Sequence, residues 1–468
     1  MKPDSDERFA LRRGVYGLLF ALALGSAAGR LMAVTSVDVQ AVERQLKRSG
    51  EEDWRRARPF LSANDRSRWC TVRALVEHGT YAIDDVVSQR GWDTIDMVKH
   101  DGHLYSSKPP LLSTLIAAEY WVVYQLTGAT LGTHPHAVGR FLLATINLPA
   151  LAIFLAGLVA VVERYGSSDW GRMFVVAVGA GATFLTTFAV TLNNHLIAAA
   201  SATVALWATL RLWDGREKRI AEFIVAGGAA AFAAANELPA LSLLALCAVA
   251  ALWVSPRLAL LGFAPAALVI AGAFFVTNDA AHNTWIPPYA HRSDDPEENW
   301  YVYEYERNGR TLQSYWQNRE GIDQGEPSRA IYAVNVLVGH HGVLSLTPVW
   351  WLSLIGAAIW LVRGDWTRRW VALAVAALSI VCVAFYLSRD LIDRNYGGTT
   401  SGFRWLFWLA PLWLLVMVPA VDTASHRRWQ RIVCLLLLGL SAMSVSYPTW
   451  NPWTHPWLWD LSHWLGWL

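Results

Sequence analysis

The sequence is short of charge. Lys, Arg, Asp and Glu make up 16% of its 468 residues, where a soluble chain carries about 25%. The shortage is concentrated in places. Segments 175–190, 371–387 and 432–445 hold no charged side chain, and each approaches the length that crosses a hydrocarbon core of about 30 Å as a helix. Short stretches of alternating apolar and polar residues are lacking, which argues against a membrane β-barrel. Cysteine is scarce too. Cys70, Cys247, Cys382 and Cys434 have no metal-like spacing, and three of them sit in apolar runs, where a thiol packs as a small hydrophobe. No basic module interleaved with aromatics is present, so the net charge of +2 gives no nucleic-acid partner.

Apolar and indole side chains are abundant instead. The chain is 54% hydrophobic and contains 26 tryptophans, many flanking apolar runs as an interfacial belt requires. Its mean hydropathy is +0.27. The pattern predicts an all-α polytopic membrane protein with about eleven spanning helices, over 14–35, 137–162, 172–191, 195–213, 220–235, 240–254, 257–277, 342–362, 370–387, 403–421 and 431–448. A secretory signal peptide would also begin with Arg12 and Arg13 ahead of an apolar stretch. We read a retained first helix, because the apolar stretch resumes after Arg30 as far as Val34.

Positive charge orients these spans. With residues 1–13 in the cytoplasm, the inside connections carry Arg164 and Arg172; Arg211, Arg216, Lys218 and Arg219; Arg257; Arg363, Arg368 and Arg369; and Arg427, Arg428 and Arg431. All are short and basic, as the positive-inside bias requires. Segment 109–127 is apolar, but it contains Glu119 and Gln125 and starts at a double proline. Counting it as a span would put the basic loops outside, so it is read as an interfacial amphipathic helix. The outer face then collects a long loop (36–136), Asn193-Asn194-His195, Asn236-Glu237, a second loop (278–341), the Arg-bearing turn 388–404 and a Trp-rich tail (449–468). Helices two to seven fall in 137–277 and the last four in 342–448. The tail tryptophans recur at about one helical turn, and Asp460 and His463 interrupt them, so the tail is expected at the headgroup level rather than as another span. No internal repeat is evident, which weighs against many secondary transporter architectures.

Two strings in the first outer loop carry chemistry. One is Ala63-Asn64-Asp65-Arg66-Ser67-Arg68-Trp69; the other runs Gly102-His103-Leu104-Tyr105-Ser106-Ser107-Lys108-Pro109-Pro110. In that order they resemble the GT-C superfamily of membrane glycosyltransferases, in particular the branch with protein mannosyltransferases and the aminoarabinose transferases of lipid A. That branch has an Asp-Glu-x-Arg-Tyr-like string and then Tyr-x-x-Lys-Pro-Pro opening an interfacial helix. The motifs cover about fifty residues; the helix and loop layout extends the similarity loosely over the chain. The resemblance implies an integral enzyme of a bacterial-type plasma membrane. It would move sugar from a polyprenyl-phosphate donor to an extracytoplasmic acceptor, with inversion. By that resemblance Asp65 is the essential acid, Arg68 and Lys108 are substrate-binding, and Trp69 matches the family aromatic. A carboxylate can take the acceptor's proton, and fixed cations stabilise the departing phosphate. Asp65 is open to a second reading as a cap of the helix that follows it.

The sequence departs from the family in two ways. Arg66 stands where the family has Glu, which breaks the acidic pair that could bridge a divalent cation; a cation remains compatible with the resemblance, and no metal ligand set is assigned. Asn193, Asn194 and His195 stand where relatives often have an acid, and Glu237-Leu238-Pro239 replaces a Lys-Gly-Pro string. Other cations must then hold the phosphate. Arg389, Arg394 and Arg404 run against the charge bias outside and suggest a bound anion, or else pair with Asp390 and Asp393. Asn194, His195, Glu237 and His341 complete the substrate-binding set. Adjacent His340 and His341 cannot face one metal from a regular helix, and the acidic stretch 294–298 reads as a solvated loop. The alternative function is non-enzymatic: a lipid or solute transporter, or an inactive GT-C-like scaffold in a complex. Mid-helix charges would favour the transporter; convergence of Asp65, Lys108 and Arg404 on one outer cavity would favour the enzyme, and their dispersal would count against it.

Overall fold

A computed structural model describes residues 5–34, 59–214, 218–293, 295, 298–307, 309–448 and 450–468. Arg216 and most of the 294–298 stretch lie outside the described residues. The chain is all-α, 71% helical. Among the described residues eight helices are long and apolar enough to cross a membrane, and three shorter apolar ones (Ile220–Asn236, Leu238–Val254 and Trp350–Arg363) intervene. Each expected span falls on one of these, with one difference. The eighth begins at Trp350, because Val343–Leu346 is a separate helical turn.

The bundle is held by small residues at close crossings. A Cβ on Gly356 would lie 1.9 Å from the Val416 carbonyl oxygen, so the helix Trp350–Arg363 meets Ala410–Ala424 where no larger residue fits. Charged and hydroxyl groups tie the connections at one end of the bundle. The Arg12 guanidinium donates to Glu163 at 3.0 Å and to Asp169 at 2.5 Å. Asp422 accepts from the backbone and hydroxyl groups of Ser167 and Ser168 at 2.6–3.0 Å. This end carries the basic connections.

The opposite end is roofed by the long loops. The first contributes the helix Ala63–Glu77, a hairpin of β1 (Met97–His100) and β2 (His103–Ser106), and the helix Pro110–Thr127. Pro110–Thr127 is not among the helices apolar enough to span; Tyr120 donates from it to Glu77 at 2.7 Å. The second loop adds a hairpin of β3 (Glu304–Arg307) and β4 (Arg310–Gln313). Trp69, Val72, Ile83, Trp92, Ile116 and Tyr120 share one buried core with Leu142 and Phe188 of the bundle. The loop is therefore packed onto the helix ends rather than solvated, and that packing builds the cavity described next.

Candidate active site

A cavity of about 720 Å³ opens between the roof and the helix ends. Of the residues singled out in the sequence, Arg68, Lys108, Asn194, His195, Glu237, Arg389 and Arg404 line it. Asp65, Arg394 and His341 do not.

Asp65 is occupied locally. Ser62 is the N-cap of Ala63–Glu77 and Asp65 is the third residue of a capping box. Its carboxylate accepts from the Ser62 N–H (2.8 Å), the Ser62 hydroxyl (3.2 Å), the Leu61 N–H (3.2 Å) and the Thr191 hydroxyl (2.7 Å). It is 1% exposed. The helix begins three residues earlier than the cap reading has it: Ser62 is the N-cap, and Asp65 supports the cap from within the first turn. Arg394 is likewise buried and donates to the Pro327 carbonyl (2.8 Å), and His341 stacks on Tyr396.

One carboxylate lining the cavity beside Lys108 is a residue that sequence reasoning passed over. Asp96 precedes β1 and is held by its backbone: its carbonyl accepts from Ser67 (2.5 Å) and the Ser107 N–H (3.1 Å). Lys108 donates to its Oδ1 at 2.8 Å, and among the described residues Oδ2 has no donor. Burial pushes the Asp96 carboxyl up, but Lys108, Arg404 and Arg68 outweigh it and hold the group below its ordinary range. Burial lowers the Lys108 ammonium to about 8 against the pull of Asp96. Burial, with Arg404 nearby, lowers Arg68 to about 10.

The two arginines are positioned by neutral groups. Arg68 donates to Asn64 (3.0 Å to its carbonyl, 2.7 Å to its side chain) and to Asn194 Oδ1 (2.7 Å). Asn194 opens the helix Asn194–Asp214 and donates in turn to Glu237 Oε1 (2.8 Å). Arg404 donates from Nε to the Gly397 carbonyl (3.0 Å), and its NH1 lies 2.9 Å from His195 Nε2. Since guanidinium can only donate, His195 Nε2 accepts, and its Nδ1–H is directed at Glu237. The Trp453 ring covers Arg404 at 5.1 Å. Gly397, with φ +93, leaves room for Arg404: a Cβ there would sit 3.1 Å from its Nε. Among the described residues neither arginine forms an ion pair with a carboxylate, whereas Arg292 and Arg389 both pair with Asp393.

Among the lining residues that the sequence reading did not single out are Asp96, Ser107, Arg292, Asp323 and Trp453. Ser107 directly precedes Lys108 in the motif, and its Oγ is buried without a partner. Asp96 sits in no recognisable string. A divalent cation finds no ligand set here: Asp96 is engaged by Lys108, and Glu237 by Asn194 and His195. Among the described residues no group of three or more His, Cys, Asp or Glu is placed to hold one. The arrangement can bind an anion against Arg68 and Arg404 and present a carboxylate beside it.

No protein-family model matches the sequence, and no curated protein is significantly similar to it. Solved structures do match. The Archaeoglobus fulgidus oligosaccharyltransferase in complex with zinc and sulfate aligns over 94% of this chain and 53% of its own, at 12% identity and a TM-score of 0.50. ArnT from Cupriavidus metallidurans in the apo state aligns over 82% of this chain and 60% of its own, at 13% identity and a TM-score of 0.43. The chain thus spans little more than half the length of either. The chain shares the membrane-helix fold of the oligosaccharyltransferase structure.

Proposed function

We propose that the chain transfers a sugar from a polyprenyl-phosphate-linked donor to an acceptor on the extracytoplasmic face, with inversion at the anomeric carbon. The observation that carries this is the pair of Arg68, buried, and Arg404, half-buried, which among the described residues form no ion pair with a carboxylate and which line one cavity with Asp96 and Lys108. Buried arginine without an acidic partner is costly unless an anion completes it. Lys108 and Arg404 line this cavity and Asp65 does not, so the convergence of three residues expected of the enzyme is met by two of them, and the enzyme reading rests on the arginines and Asp96 instead.

In this reading Asp96 takes the proton from the acceptor hydroxyl or amine as its heteroatom bonds to the anomeric carbon. The bond from that carbon to the phosphate oxygen breaks, and its electron pair leaves with the phosphate. Arg68, Arg404 and Lys108 stabilise that charge, which grows as the bond breaks. Asp96 replaces Asp65 as the proposed base because it lines the cavity and its Oδ2 has no donor among the described residues. Both carboxylates belong to the same loop, so transfer measured on purified Asp96→Asn and Asp65→Asn in lipid separates them. Asp96→Asn is expected to lose about 10²–10⁴-fold in rate. Full activity in Asp96→Asn would remove it from the mechanism. A polyprenyl phosphate that co-purifies and is detected by mass spectrometry would support the donor class.

A further inference from the structure

Three histidines outside the cavity meet beneath the C-terminal segment. His340 and His341 share a hydrogen bond of 2.6 Å between their Nδ1 atoms. His455 stacks on Trp459 (4.5 Å between centroids, 11°), and His340 meets the same indole edge-on at 4.7 Å. The His341 and His455 rings are 6.1 Å apart. Among the described residues, His341 Nε2 and His455 Nδ1 are buried with no hydrogen-bond partner. Among the described residues the histidine ion pairs are those of His100, His103 and His195; these three have no carboxylate partner. The titratable groups around them are Tyr396, which donates to Glu326, Asp460 and His463 on the tail helix, and Tyr447, which donates to Asp460.

The same segment reaches the cavity. Asn451 and Trp453 line it. Trp453 donates from Nε1 to the Thr191 hydroxyl at 3.2 Å, and its ring covers Arg404. The Pro452 carbonyl accepts from the Ser401 N–H at 2.9 Å. Trp457 donates to Ser444 at 2.7 Å. Arg404 is therefore fixed on three sides, by His195, by the Gly397 carbonyl and by a residue of the tail.

We propose that segment 451–459 is a strap that completes the anion-binding wall, with Trp453 as a positioning residue for Arg404, and that protonation of the clasp of His340, His341 and His455 releases it. The role of Trp453 rests on reading Arg404 as a phosphate ligand; release of the strap does not. Burial lowers all three imidazoles, His340 to about 4 and His341 well below the ordinary value, while Asp460 partly opposes the lowering of His455. A released strap takes up protons more readily than a docked one. Docking is therefore at full strength above about pH 6.5 and weakens as pH falls below it. His455 sits on the strap itself and is the group through which release begins.

The test uses the full chain in phosphatidylcholine nanodiscs, with farnesyl phosphate as the anionic probe. Backbone hydrogen exchange over 451–459, corrected for the intrinsic pH dependence, is read at pH 7.5 and 5.5 alongside probe affinity. Exchange is expected to rise and affinity to fall together at pH 5.5. His455→Phe keeps the stacking and should stay protected at pH 5.5. Trp453→Leu should bind about tenfold more weakly at pH 7.5, within the range of a desolvated cation–π contact, and Trp453→Phe should keep most of the affinity. Trp453 also packs edge-on to Phe188 at 5.4 Å, so the Phe variants keep the test decidable if the Leu variant misfolds. Equal protection at both pH values, in parent and His455→Phe alike, overturns the clasp. Binding untouched in Trp453→Leu overturns the positioning role alone. A parent that fails to bind at pH 7.5 overturns the donor reading and the role of Trp453 with it, and leaves the exchange result to decide the strap.

Discussion

Replacing Asp65 by Asn separates a cap from a base, and the structure gives the size of the effect. Asparagine at an N-cap is as good as aspartate, but Asp65 is the third residue of the box and uses both oxygens. Oδ1 receives the Ser62 N–H and hydroxyl, while Oδ2 receives the Leu61 N–H and the Thr191 hydroxyl. An amide has one accepting oxygen. Whichever way it is turned, its NH2 faces a backbone N–H in a site that is 1% exposed. Leaving one buried donor unpaired costs about 1–3 kcal/mol, and losing the charge on the remaining bonds adds about 1 kcal/mol. With the NH2 in the place of Oδ2, Thr191 also loses its acceptor while it still receives Trp453 Nε1. We expect Asp65→Asn to be destabilised by about 2–4 kcal/mol, with kcat per folded molecule within about threefold of the parent. Pulse proteolysis in lipid nanodiscs reports the first quantity, and single-turnover sugar transfer on the surviving fraction reports the second. A variant as stable as the parent that has lost 10²-fold or more in kcat would refute this reasoning and restore Asp65 as the base.

Arg68→Met and Arg404→Met should each raise KM for the lipid donor by about 10–100-fold, the weight of one or two charge-assisted hydrogen bonds; titration of donor in the transfer assay measures it. Lys108 titrates near 8 in the free protein, so its ammonium disappears as pH rises through that value. The kcat/KM profile should fall on its alkaline limb with a midpoint near 8, and Lys108→Arg should move that limb upward; an unshifted limb would exclude Lys108. A cysteine placed at Gly364, in the basic connection after Trp350–Arg363, should react with a membrane-impermeant maleimide only after the membrane is opened. Labelling of intact cells would reverse the orientation.

The spans were legible because they rest on one dominant quantity, the apolar run. Charge deserts and the Arg-rich connections between them mark the helices within a few residues. The Val343–Leu346 turn escaped because Gly342 and Pro348 interrupt an otherwise apolar stretch without adding charge. The site was legible where residues sit in a string: Arg68 and Lys108 belong to motifs, and both reach the cavity. Asp96 was not, because its position follows from the β1–β2 hairpin, which turns the chain back so that Asp96 meets Lys108 twelve residues on. Asp65 was misplaced for a related reason. Four hydrogen bonds consume its carboxylate, and one of them comes from Thr191 in another part of the chain; nothing local to the string announces that partner. Trp453 belonged to a tail read by its periodicity alone, and periodicity does not say that one indole turns inward over an arginine.

The pairing pattern inside the cavity gives the reason for its charge. Five cations line it, Arg68, Lys108, Arg292, Arg389 and Arg404, against four carboxylates, Asp96, Glu237, Asp323 and Asp393. At the mouth, Asp393 satisfies Arg292 and Arg389 together. In the depth, Lys108 is matched to Asp96, and Glu237 is spent on Asn194 and His195. The uncompensated charge therefore falls on Arg68 and Arg404. Their own neighbours are amide, carbonyl and imidazole acceptors, which fix direction without neutralising. A carboxylate in that place would stabilise the empty protein and compete with the substrate. Its absence among the described residues leaves the charge of Arg68 and Arg404 open to an anionic ligand.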